Sequence, residues 1–174
     1  MAHPLIKRIE VGEHITQDFK FEISDARKIA RTLAAFSNTR GGSLLIGVKD
    51  NGVIYGVRSD EEFYMIESAA SLYCTPVVEF TVKEWELNGK TVLEVMIPKR
   101  DDQLISAPDK NDRPRVYIRV DDQNLLANRW YIKVWKNRNK KGTFLKYREK
   151  EEIVLKYLDH QNKMTFDDMK RITS

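Results

Sequence analysis

The chain has 174 residues, of which 41% are hydrophobic and 32% charged, which suits one domain with a small appendage. No apolar run approaches the roughly 20 residues of a membrane span, and residues 1–4 do not resemble a secretory signal. We therefore expect a cytoplasmic protein with no membrane partner. Cys74 is the single cysteine, which excludes a disulfide framework and a cysteine-based zinc site.

The formal net charge of +4 is unevenly distributed. Residues 127–150 contain nine Lys or Arg and one Glu, a net charge of +8, whereas the other residues hold 21 basic and 25 acidic side chains, a net of −4. This asymmetry favours an anionic partner, nucleic acid before membrane. A protein-interaction role with Trp130 and Trp135 as anchors is the alternative. The predicted phosphate contacts in the basic segment are Arg129, Lys133, Lys136, Arg138, Lys140 and Lys141.

Residues 16–23, TQDFKFEI, alternate in hydropathy and predict a half-buried strand with Phe19 inward and Asp18 outward. The pattern then changes to a helical period over residues 24–39, with Ser24 as the expected N-cap.

Glycines punctuate the next stretch. The pair Gly41-Gly42 ends the helix and allows a tight reversal into the strand SLLIGV, residues 43–48. This run is apolar without alternation, which predicts a strand buried on both faces. Gly47 within it indicates a neighbour packed against the backbone. Residues 50–52, Asp-Asn-Gly, predict a hairpin turn after which VIYGV returns beside its partner.

Residues 59–62, SDEE, form a capping box that predicts a second helix. Strands are predicted over residues 77–87 and 90–97, joined by a hairpin turn at Asn88-Gly89. Residues 98–114 are predicted to form a long polar loop with three prolines.

The last predicted strand is RVYIRV, residues 115–120, with Val116, Ile118 and Val120 facing the core and Arg115, Tyr117 and Arg119 facing outward. That outward row either contacts phosphate and base or is an ordinary solvated face. Helices are predicted over residues 130–137, over 144–161 and over 166–172. In the first of these, Trp130 and Val134 are predicted to face inward, and Tyr131 and Trp135 are further candidates for that face. The last two helices resemble the start of a winged helix-turn-helix, without its recognition helix or wing, and suggest a truncated module.

The combination of DFKFEI (18–23), IARTLAAFSNTRGGSLLIGVKDNGVIYGV (29–57) and RVYIRV (115–120) resembles the Schlafen family. More narrowly, it is similar to the AlbA-type DNA-binding domain of prokaryotic regulators, over about residues 10–130. The resemblance implies an α+β fold, with a single mixed, mostly antiparallel sheet packed by helices and a nucleic-acid-facing surface. The expected divisions are an AlbA-like domain (1–126), a basic helical segment (127–150) and the start of a helix-turn-helix-like module (151–174).

The function that this resemblance implies is nucleic-acid binding, DNA or RNA, of the transcriptional-regulator type, by a homodimer that needs no cofactor. Its two-lobed relatives suggest that a second copy completes the binding surface. Beyond the basic segment, the predicted nucleic-acid-binding residues are Arg40, Arg115, Tyr117 and Arg119.

The resemblance also implies an alternative activity, because some vertebrate Schlafens are metal-dependent RNA-cleaving enzymes. Their carboxylate positions match Glu13, Asp18 and Asp50, which would hold Mg²⁺ or Mn²⁺, while Lys20 would steady the scissile phosphate. Asp18 replaces a longer Glu, and Glu13 needs a bulge near residues 15–16 to reach the site. The simpler interpretation assigns the three carboxylates to a solvated strand position, a salt bridge and a hairpin turn.

Overall fold

A computed structural model describes residues 3–57, 59–138, 140, 142 and 147–173, and the chain divides into two compact units, Met1–Lys133 and Val134–Ser174. The helices and strands of the larger unit are α1 Pro4–Val11, β1 Gln17–Lys20, α2 Ala26–Thr39, β2 Gly42–Ile46, α3 Glu61–Leu72, β3 Thr81–Leu87, β4 Lys90–Ile97, β5 Ser106–Pro108, β6 Pro114–Val120 and β7 Gln123–Leu126. They are followed by α4 Arg129–Asn137, and by α5 Glu149–Gln161 and α6 Phe166–Thr173 in the smaller unit.

The strands form two sheets. The first has the order β1-β2-β4-β3, in which β1 and β2 are parallel and the other pairs are antiparallel. The second is antiparallel, with the order β5-β6-β7. The α+β class is therefore confirmed, but the strands do not form the single sheet that was expected. The chain leaves the first sheet at Pro98, which has no N–H to continue the ladder.

Helix α2 lies at the centre of the main core. Its buried residues Ile29, Leu33 and Phe36 belong to one cluster with side chains of both sheets and of α3. A smaller cluster on the other face of the first sheet joins Leu5 of α1 to Phe19 and neighbouring strands. Strand β2 is thus covered on both faces, as its unbroken apolar sequence predicted.

The first strand differs from its prediction. Strand β1 has four residues, and Asp18 is as buried as its neighbour Phe19, with 3% and 1% of their surfaces exposed. The predicted solvated face of this strand was wrong because a buried cation from β6 covers it. Helix α2 also begins one residue later than expected, since Asp25, and not Ser24, caps its N-terminus by accepting hydrogen bonds from the amides of Arg27 and Lys28.

Three features of the second sheet were not predicted, or were predicted wrongly, from the sequence. Strand β5 forms within the predicted loop 98–114, and β7 follows a tight turn at residues 121–122. The two faces of β6 are reversed with respect to the prediction, because Tyr117 and Arg119 are buried and Val120 is 41% exposed. An alternating pattern identifies two faces, and here the polar one packs on α2.

Both hairpin turns are confirmed. Strands β3 and β4 are joined by Asn88 and Gly89, both at positive φ. After β2, the amide of Gly52 donates to the carbonyl of Lys49 over 2.7 Å, and a single bridge pairs Val48 with Ile54. The return segment 53–57 therefore makes one bridge and not a full strand.

In the smaller unit, α5 and α6 pack against each other, and their assignment to a helix-turn-helix stays a prediction. No helix in the described residues is long and apolar enough to cross a membrane.

Gly47 combines a positive φ of +91° with close contact, as its position within an apolar strand predicted. A Cβ added there would lie 2.8 Å from the carbonyl carbon of Gly56. Gly89 also has a positive φ, +73°, but a Cβ there would meet nothing within 4 Å. These two glycines separate backbone strain from steric overlap.

We expect Gly89→Ala to lower the free energy of unfolding by about 1–2 kcal/mol, because an L-residue is strained at this φ. Gly47→Ala should lower it by a further about 1–3 kcal/mol, because the methyl group also meets backbone atoms that cannot move aside. Urea denaturation followed by tryptophan fluorescence measures both values. Equal losses in the two variants would show that the approach of Gly56 carries no energetic cost.

Candidate functional site

An arginine of β6 is buried among side chains and backbone groups of β1, β7 and α2. The guanidinium of Arg119 is 3.0 Å from Oδ1 of Asp18, and both side chains are at least 95% buried. Its nitrogens also donate to the carbonyl of Gln17 and to Oδ1 of Asn124, at 3.2 and 3.0 Å. The ring of Phe36 lies under the guanidinium at 5.1 Å. Arg119 therefore connects β1 of one sheet to β6 and β7 of the other.

The end of α2 joins the same constellation. The amide of Arg119 donates to Oγ1 of Thr39 over 2.9 Å. The side chain of Asn38 donates to the carbonyls of Ile105 and Tyr117 and accepts from the amide of Ile105, each over 2.8 Å. The segments DFK, SNT and RVYIRV, which are far apart in the sequence, thus meet at one place.

Glu13 reaches this place through a tight turn. Residues His14 and Gln17 exchange two backbone hydrogen bonds, 2.9 and 3.1 Å long, and reverse the chain before β1. The carboxylate of Glu13 then accepts from the amide of Phe19 over 2.8 Å and lies close enough to Asp18 for the two carboxyl groups to shift each other's pKa. The irregularity expected at residues 15–16 is therefore present as a turn. Lys20 completes the group, with its Nζ 2.9 Å from Oδ2 of Asp18.

The pKa values of these two carboxyl groups are shifted in opposite directions. Burial and the hydrogen bond to Asp18 raise the pKa of Glu13 above its usual value of 4.5. For Asp18, burial acts to raise the pKa, but the hydrogen bond from Glu13 and the charges of Lys20 and Arg119 outweigh it, so the pKa is lowered. When the pair holds a single proton, the raised pKa of Glu13 and the lowered pKa of Asp18 favour that proton on Glu13 and the charge on Asp18.

Glu13 and Asp18 do not fit a divalent cation in this arrangement. The two oxygens of Asp18 already face Arg119 and Lys20, and Glu13 is bound to the amide of Phe19. Asp50 is exposed in the turn after β2. Across the described ranges, no three His, Cys, Asp or Glu side chains come together in a way that could hold a metal ion. The structure brings Glu13, Asp18 and Lys20 together, and Asp50 does not form a metal-binding cluster with the two carboxylates.

The predicted nucleic-acid contacts fall into two groups. Tyr117 and Arg119 are buried and cannot offer a binding row, which corrects that prediction, while Arg115 is exposed and lies 3.5 Å from Asp109. Arg40 is exposed at the end of α2. Of the contacts predicted in the basic segment, Arg129, Lys133, Lys136, Arg138 and Lys140 are exposed, and Lys141 lies outside the described residues.

Helix α4 presents aromatic as well as basic side chains. Trp130 is 59% exposed and Val134 69%, so their predicted inward orientation was wrong. Tyr131 takes the inward position, and its hydroxyl donates to the carbonyl of Asn38 over 3.2 Å. Apolar spacing alone had suggested both orientations, and only the partner of Tyr131 distinguishes them.

Sequence reasoning missed the residues that support the buried pair. Asn38, Thr39 and Asn124 bind backbone or side-chain groups of the neighbouring elements. The signal that could have found two of them is the polar pair Asn38-Thr39 at the end of an otherwise apolar helix face, where side chains need buried partners.

Residues 13–128 match the family model described as Schlafen, AlbA_2. The chain belongs to the Schlafen AlbA_2 family. This match covers β1 to β7 and hence the whole constellation around Arg119.

Two solved structures are similar to this Schlafen AlbA_2 chain. The DIP2311 protein of Corynebacterium diphtheriae is 22% identical, with a TM-score of 0.52, and the match covers 74% of this chain and 28% of that one. The N-terminal domain of a RecG-related protein from Nitrosomonas europaea is 20% identical, with a TM-score of 0.47, over 72% of this chain and 93% of that one. The chain thus spans less than a third of the DIP2311 protein, and the likeness to it shows the fold. A search of curated proteins gave no match.

Removing one member of the buried pair should be costly. We expect Arg119→Met to lower the free energy of unfolding by about 3–5 kcal/mol, because Asp18 would lose its buried partner and retain only Lys20. Asp18→Asn should also destabilise, and the double variant should lose less than the sum of the two. Urea denaturation of the four proteins measures the coupling.

The matched control is Arg115→Met on the same strand, whose exposed pair with Asp109 contributes at most about 1 kcal/mol. Additive losses for Asp18→Asn and Arg119→Met would contradict direct coupling of the two residues.

The raised pKa of Glu13 makes the free energy of unfolding depend on pH. Because the pKa of Glu13 is raised in the folded protein, its protonated form favours folding, and this contribution is lost as pH rises above 4.5 through the raised value. Gln in its place is neutral at every pH and can still donate to Asp18 and accept from Phe19.

We therefore expect Glu13→Gln to gain stability relative to the native chain between pH about 4 and pH about 8. Asp18, with its lowered pKa, contributes stability that is lost as pH falls, but it does so in both proteins. Urea denaturation at both pH values gives the difference. A constant difference would mean that folding does not raise the pKa of Glu13.

Proposed function

We propose that this chain is a nucleic-acid-binding module and that residues 127–150 supply its main contacts. The observation that carries the proposal is the net charge of +8 in that segment, against −4 in the rest of the chain. Membership of the Schlafen AlbA_2 family supports it, since the resemblance implies a nucleic-acid-facing surface.

Among the described residues, four exposed cations of the basic segment differ from the two arginines of β6 in having no acidic partner. Arg119 forms an ion pair with Asp18, and Arg115 forms one with Asp109. In the part of the chain that the structure describes, no acidic side chain forms an ion pair with the exposed Arg129, Lys133, Lys136 or Lys140. These four side chains can therefore exchange water and counterions for phosphate without first breaking a salt bridge.

The expected mode is electrostatic. Lys and Arg side chains that neutralise phosphates release condensed counterions, which provides affinity independent of sequence. A role in a transcriptional regulator would need further contacts to base edges. A homodimer is part of the proposal, because two copies would bring two basic segments to one nucleic acid.

The metal-dependent nuclease alternative remains a prediction from the resemblance alone. Asp18 already faces two cations, and Glu13 is bound to the amide of Phe19. Hydrolysis would require Asp50 and a metal to rearrange this group, so we favour binding.

Replacing Lys133, Lys136 and Lys140 with Gln should weaken binding to all duplexes alike. Each lost phosphate contact should reduce the slope of log affinity against log salt by about 0.9. Fluorescence anisotropy with a labelled DNA duplex at several salt concentrations measures both quantities.

The matched control replaces three exposed lysines outside the segment, Lys28, Lys110 and Lys163, with Gln. It removes the same charge and should leave the slope unchanged. Equal slopes in the native chain and the first variant would move the interface away from residues 127–150.

A further inference from the structure

Trp130 is exposed although its helix is already anchored. The first turn of helix α4 lies within the larger unit and is held there by Tyr131, whose hydroxyl donates to the carbonyl of Asn38. Asn128 caps this turn by accepting from the amide of Tyr131 over 2.8 Å. Neither contact uses Trp130, which is 59% exposed. An exposed indole that does not hold its own helix is available to a ligand.

Two cations lie beside this indole. The guanidinium of Arg129 is 4.9 Å from the ring centroid and the Nζ of Lys133 is 5.4 Å from it. Both belong to the same compact unit as Trp130. A flat aromatic surface flanked by two positive charges matches a nucleotide, whose base stacks on a ring while its phosphate neutralises the cation.

We propose that Trp130 is a stacking platform for an unpaired base, so that this surface prefers single-stranded nucleic acid to duplex. The inference rests on the proposed nucleic-acid binding and names the form of nucleic acid recognised. In a duplex both faces of each base are covered by its neighbours, and the indole would have to unstack them at a cost. In a single strand a base face is open to the ring.

Another exposed aromatic residue, Phe166, differs from Trp130 in the charge of its surroundings. Phe166 is 65% exposed, and the Nζ of Lys170 lies 4.7 Å from its ring. However, Asp167 and Asp168 follow Phe166 directly in the sequence and would repel phosphate. Phe166 is therefore the natural control, equally exposed and also beside a lysine, but in an acidic setting.

The test compares two DNA probes by fluorescence anisotropy, a labelled oligothymidylate of about 15 nucleotides and the duplex that it forms with oligodeoxyadenylate. Trp130→Ala should lower affinity for the single strand between about 5-fold and about 150-fold. Affinity for the duplex and the salt slopes should stay unchanged, because no charge is removed. Trp130→Phe should retain most of the single-strand affinity, and Phe166→Ala all of it.

Two results would overturn the inference while leaving the proposed function in place. One is binding of the single strand by Trp130→Ala with native affinity, and the other is an equal loss for both probes. A native chain that binds neither probe would overturn both proposals. A change in the oligomeric state of Trp130→Ala, measured by light scattering, with native binding of both probes would make Trp130 a protein contact instead.

Discussion

The buried ion pair between Asp18 and Arg119 is the interaction on which the arrangement of the larger unit depends. It joins β1 of the first sheet to β6 of the second, across α2, whose Thr39 accepts from the amide of Arg119. Removing two charges from water costs several kcal/mol per ion, and hydrogen bonds to Gln17 and Asn124 offset part of that cost. The pair persists only while the guanidinium and the carboxylate stay within hydrogen-bond distance of each other.

The same ion pair gives a structural role to carboxylates that the family resemblance suggested as metal ligands. Asp18 is positioned by the two cations Arg119 and Lys20, which help to hold its pKa below the usual value, and it orients Arg119. Glu13, whose pKa is raised, ties the turn at residues 14–17 to β1 through the amide of Phe19. A motif of acidic residues is thus compatible with a structural role as well as with metal chemistry.

Sequence patterns correctly predicted the elements that are determined by interactions within a few residues. The helix over 26–39, the glycine turns and the hairpin at Asn88-Gly89 follow from periodicity and backbone freedom within a few residues. The burial of Asp18 could not be predicted, because its partner Arg119 lies 101 residues later and an alternating strand shows only that its faces differ. Likewise, the spacing of Trp130 and Tyr131 fits either ring facing inward, and the carbonyl of Asn38 selects Tyr131.

Burial and exposure divide the basic side chains into two kinds. Arg119 is buried in an ion pair that stabilises the fold, whereas the cations of residues 127–150 that the structure describes are exposed. Because the rest of the chain has a net charge of −4, a polyanion is attracted by one segment and repelled by the remainder. Such a field orients an approaching nucleic acid before any contact forms, and it weakens with salt over the Debye length, about 10 Å at 0.1 M. Uncharged contacts, such as stacking on Trp130, would persist at high salt and would then determine which form of nucleic acid stays bound.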